Sequence, residues 1–70
     1  MTPSQCIKMF PDDIHRLEKL LFQFVNERGD YYEQLKALQP TDFSTLNEIN
    51  QYELEVRIGL DYIQRWAEKK

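Results

Sequence analysis

The chain has a single cysteine, Cys6, so no disulfide can form within it. Below about 70–80 residues a single core rarely supplies more than about 3–5 kcal/mol, and disulfides, a metal or a partner usually add to it. At 70 residues this chain sits at that limit. A lone cysteine fits a reducing compartment, where it acts as a small buried hydrophobe or an inert thiol, and the expected location is the cytoplasm. Histidine is equally scarce. His15 stands alone, one turn after Asp12, and nothing supplies the three or four ligands that zinc requires, so neither metal nor cofactor is expected. Gly29 and Gly59 are the only glycines, too few for a phosphate-cradling loop. Glu53 and Glu55 point to different faces of a helix and cannot work as a carboxylate dyad. A small helical chain also lacks the volume of a ligand cavity, and no enzymatic activity is expected.

Long apolar runs are missing as well. The first ten residues, MTPSQCIKMF, carry neither the apolar stretch of a signal peptide nor a lipidation signal, and no segment is expected to span a membrane. Positive charge is scattered: nine Lys and Arg stand against twelve Asp and Glu, with a net charge of −3 and the two signs interleaved. Nucleic-acid binding depends on a basic patch that displaces counterions, and none is present. Hydrophobic residues make up 41% and aromatics 13%, enough for a folded core and too much for a disordered chain.

The apolar residues are spaced for helices. Ile14, Leu17, Leu21, Phe24, Tyr31, Leu35 and Leu38 advance by threes and fours with one interruption at Arg28, and Leu20, Val25 and Tyr32 widen the stripe. This spacing predicts one helix over about 12–38. Pro11 suits its first turn, and Asp12 and Asp13 suit the positive end of its dipole. Leu38-Gln39-Pro40 predicts its end, because proline pushes the residue before it out of the helical region. A turn over about 39–44 follows. Thr45 and Glu48 have the spacing of a capping box, with Thr41 as an alternative cap one turn earlier. A second helix over about 45–68 then places Leu46, Ile49, Tyr52, Val56, Leu60, Ile63 and Ala67 on one side, with Arg65, Lys69 and Lys70 at its negative end. The predicted fold is all-α: an antiparallel two-helix hairpin within a single domain spanning 1–70, with room for a short N-terminal helical turn.

Arg28, Gly29 and Asp30 spell RGD, an adhesion signal in other proteins. The heptad steps pass through Gly29 in phase, so the helix is expected to continue there, and a helical RGD lacks the extended loop that adhesion needs. A hinge at Gly29, dividing the first helix, is the alternative.

The second helix carries one apolar face too many. At about 100° per residue, Leu54 and Ile58 fall nearly opposite Val56 and Leu60, with Tyr62 beside them. A single partner helix cannot cover both sides. Phe22 likewise falls off the stripe of the first helix. Leu54, Ile58, Tyr62 and Phe22 are therefore the candidate partner-binding residues. On that reading Ile58→Asp would leave the hairpin folded; the alternative, in which it unfolds the chain, assigns the stripe to a third packed element such as the Met1 to Phe10 segment folded back. Trp66 could close the hairpin or anchor a partner, and Tyr31 and Tyr32 read as seam residues.

A short first segment, Leu17-Glu18 and Leu20-Leu21 opening a helix, the Leu38-Gln39-Pro40 turn with Phe43 after it, and Leu54-Glu55 with Ile58 on a second helix resemble the YscE-like co-chaperones of type III secretion systems. The resemblance implies a helical hairpin that binds a tetratricopeptide-like chaperone and helps keep a secretion needle subunit soluble in the bacterial cytoplasm. Two other roles fit the surplus face. One is a self-associating regulator, a homodimer forming a four-helix bundle; the other is a phage-type inhibitor of a host protein.

Overall fold

A computed structural model describes residues 1–69. They form three helices, α1 (Pro3–Met9), α2 (Ile14–Ala37) and α3 (Phe43–Glu68), and no strand is present among them. The all-α expectation holds, and a hairpin of the two long helices fits. The short N-terminal turn is a seven-residue helix, which makes a three-helix arrangement. Lys70 lies outside the described residues.

Local chemistry explains each boundary. Thr2 and Gln5 close a capping box on α1: the Gln5 N–H donates to Thr2 Oγ1 at 3.3 Å and the Thr2 N–H to Gln5 Oε1 at 3.0 Å. Pro3 occupies the first turn, where its missing N–H costs nothing. The Phe10 N–H donates to the Cys6 carbonyl at 2.8 Å and closes the helix. Pro11 and Asp12 then form a turn, so Pro11 lies outside α2 rather than in its first turn. Asp13 caps α2, accepting from the Arg16 N–H at 3.1 Å.

α2 runs unbroken through Gly29, and no hinge divides it. Its exit is made by Gln39, whose φ of 51° is left-handed, rare for a residue with a side chain, and followed at once by Pro40. α3 starts two residues earlier than its predicted bound, because Asp42 and not Thr45 or Thr41 is its cap. The Asp42 carboxylate accepts from the Thr45 N–H at 2.8 Å and from the Thr45 hydroxyl, which removes that hydroxyl from any capping box of its own.

The core gathers where all three helices meet. Cys6, Leu17, Leu21, Phe24 and Ile49 are buried, and Pro3 and Gly59 join them. Gly59 sits at a close approach: a Cβ there would lie 3.2 Å from a Leu21 methyl and 3.3 Å from the Pro3 Cβ. Farther along, the Tyr52 ring stacks between Phe24, at 5.3 Å, and Tyr32, at 4.4 Å. An ion pair between Lys36 and Glu53 bridges the two long helices beyond it.

Candidate partner-binding face

Two long helices laid side by side leave a groove along each flank, and this chain fills only one of them. α1 lies in the first, held to α3 at three positions one turn apart. Glu55 accepts from the Ser4 N–H at 3.0 Å and from the Ser4 hydroxyl at 2.6 Å. Gly59 admits Pro3, as above, and the Tyr62 hydroxyl donates to the Pro11 carbonyl just past α1. Arg16 on α2 adds a cation–π contact over the Phe10 ring at 4.2 Å.

The predicted partner-binding residues divide on this framework. Tyr62 is engaged by the chain's own N-terminal segment, and Ile58 is half-buried in the same sector of α3, within about 60° of Glu55 at about 100° per residue. Leu54 and Phe22 stay in water, 49% and 70% exposed. They are not neighbours. Leu54 lines a hollow with Asn50, Glu53 and Arg57, whereas Phe22 lines another with Glu18, Lys19 and Gln23. Tyr62, at one end of the Leu54, Ile58 and Tyr62 stripe, is thus taken up by the Pro11 carbonyl just past α1, a helix too short to announce itself by periodicity, while Leu54 and Phe22 stand apart.

The second groove, on the flank away from α1, is open. Leu60 lies about 140° around α3 from Glu55, at about 100° per residue, and is 50% exposed. Across from it Val25 of α2 is 41% exposed. With Val56 and Tyr52 these side chains line an apolar hollow of about 440 Å³. A second hollow shares Val25 and Tyr52 and continues along Gly29, Asp30, Glu33 and Lys36. Burial, with the nearby Glu33 charge, pushes the Tyr52 hydroxyl above its usual pKa, so it stays protonated there. The hydrogen bond that Lys36 donates to the Glu53 carboxylate likewise raises the Lys36 pKa and keeps it charged. Sequence reasoning assigned Val25, Val56 and Leu60 to the seam. The missed signal was Thr2-Pro3-Ser4-Gln5, whose capping-box pattern places a helix before Pro11 and shifts which flank is left uncovered.

The remaining candidates bring no chemistry together. Among the described residues, no group of three or more His, Cys, Asp and Glu is placed to hold a metal, and no buried side-chain polar atom lacks a hydrogen bond. His15 is exposed, and Cys6 is a buried free thiol. In the RGD segment, Arg28 lies over the Phe24 ring at 4.9 Å and Gly29 is helical. No helix among the described residues is long and apolar enough to cross a membrane. No family model, curated protein or solved structure matches the chain.

Proposed function

We propose that the chain is a non-catalytic protein-binding module, an antiparallel hairpin of α2 and α3 wedged by α1 on one flank and open to a partner on the other. The antiparallel arrangement is supported by the order of pairings: Lys36 with Glu53, Tyr32 with Tyr52, Leu21 beside Gly59, and Ile14 beside Ile63 and Trp66. One observation carries the functional reading. Val25 and Leu60, both well exposed, face each other across a groove whose counterpart is filled by a helix. Exposed apolar side chains gathered in a concave strip are what helix-in-groove recognition uses, and scattered ones are not. The resemblance to the YscE-like co-chaperones supplies the first partners to try: a tetratricopeptide-like chaperone and, through it, a needle subunit in the bacterial cytoplasm.

Co-expression with such a chaperone followed by gel filtration with light scattering tests this. A one-to-one complex that Leu60→Asp abolishes, with the circular dichroism of the free chain unchanged, supports the reading. A complex that survives Leu60→Asp and fails only with Leu54→Asp moves the site to the other side of α3. No complex with any chaperone of this type removes the co-chaperone assignment.

A further inference from the structure

Building on the open-groove reading, we infer that the groove takes a basic amphipathic helix, with apolar anchors on one face and Lys or Arg along its edges. The shape of the occupant is set by comparison within the molecule. The flank opposite is bounded by the same two helices, and what fits it is a helix, α1, whose small apolar side chains Pro3 and Cys6 are fully buried. The open flank offers a floor of the same kind in Val56 and Leu60, one turn apart on α3, with Val25 of α2 across from them. Anchors spaced three and four residues apart on one helix would meet these side chains in turn.

The charge of the occupant is set by the rim. Four carboxylates, Asp30, Glu33, Glu53 and Asp61, line the two connected hollows against two cations, Lys36 and Arg57. Glu53 is already paired with Lys36. Asp30, Glu33 and Asp61 then outweigh Arg57, so most of the chain's net charge of −3 is concentrated on this flank. Complementary charge steers an approaching helix and rejects one of like sign. The same rim opposes a second copy of the chain, since a symmetric contact over this groove lays acidic edges against acidic edges.

The test uses three designed peptides of about five helical turns. The first is a leucine and lysine amphipathic helix, the second has the same leucines with glutamate in place of lysine, and the third has the first peptide's composition with the leucines scattered. Each is titrated into the full chain labelled at its methyl groups. The expected result is that only the first moves the Val25, Val56 and Leu60 resonances while Ile58 stays still, with affinity falling as salt is added. Leu60→Asp should remove this binding, and Glu33→Lys with Asp61→Lys should weaken the first peptide and admit the second. Equal binding of the glutamate peptide overturns the inferred partner chemistry, and so does self-association through the groove. In both cases the groove itself survives as a binding site. Shifts produced equally by the scattered peptide mean that charge alone acts, which overturns the inference. If no peptide moves the three groove resonances and the chain stays monomeric, the groove reading fails together with the inference.

Discussion

Gly59 and Gly29 sit on facing helices and differ in what stands where a side chain would be. At Gly59 a methyl group meets a Leu21 methyl at 3.2 Å and the Pro3 ring at 3.3 Å, both in the packed core. At Gly29 it meets only the Tyr52 hydroxyl at 3.4 Å and a Val25 methyl at 3.8 Å, ordinary contacts. Alanine is favoured over glycine in a helix by about 1 kcal/mol, whereas overpacking a core costs about 1–3 kcal/mol. Gly59→Ala should therefore lower the melting temperature and Gly29→Ala should leave it unchanged or raise it, a contrast that thermal unfolding of the two variants reads directly. Glu55 offers a second check. Its carboxylate satisfies two donors of one residue, Ser4, and its removal leaves the Ser4 N–H unpaired in a partly buried place. Glu55→Ala should cost about 1–3 kcal/mol and Ser4→Ala less, because the N–H bond remains in the latter. Neither role was legible in the sequence. Glu55 read only as a carboxylate that could not pair with Glu53, and Gly59 only as a glycine outside any phosphate loop, because both act across a distance of about fifty residues in the chain, and helical periodicity reports only the residue's own helix.

At the scale of elements, the long helices were legible and their ends were not. Apolar spacing locates Ile14 to Ala37 and most of Phe43 to Glu68, since each turn repeats the signal. A cap is a single hydrogen bond, and several residues in QPTDFST could have made it. α1 has only seven residues, too few to repeat a pattern, and its core contribution comes from Pro3, which carried no reading, and Cys6, which read as a small buried hydrophobe or an inert thiol. The acidic caps give a pH prediction. A backbone and side-chain hydrogen bond from Arg16 holds the Asp13 carboxyl below the usual carboxylate range, and bonds from the Thr45 hydroxyl and N–H do the same for Asp42. A carboxyl depressed in the folded state adds stability above its unfolded pKa of about 3.9 and loses it as pH falls through the lower folded value. Urea midpoints should thus drop below about pH 4, and Asp13→Asn with Asp42→Asn, which keeps a capping oxygen but removes the charge, should flatten that drop. A midpoint curve identical to that of the unaltered chain would mean that the caps titrate as free carboxyls.

The whole molecule turns on which flank α1 occupies. The sequence indicated more apolar surface on the second helix than one neighbour could cover, and it left open whether a partner or the Met1 to Phe10 segment folded back would cover it. Ile58 and Tyr62 then change role, from wet residues awaiting a partner to the edge of an internal contact, while Leu60 changes from seam to surface. The consequences for stability are opposite, and thermal unfolding of Ile58→Asp and Leu60→Asp, followed by circular dichroism beside the unaltered chain, measures them directly. With α1 seated on the Glu55, Gly59 and Tyr62 side, Leu60→Asp replaces a half-exposed side chain and should cost no more than about 1 kcal/mol, or about 4–8 °C in a domain of this size. Ile58→Asp puts a carboxylate at a half-buried position on the α1 side of α3 and should cost at least about 2 kcal/mol, a large share of what a core this small supplies. Ile58→Asp melting with the unaltered chain while Leu60→Asp unfolds would contradict this assignment, placing the open groove on the Ile58 side and α1 away from it.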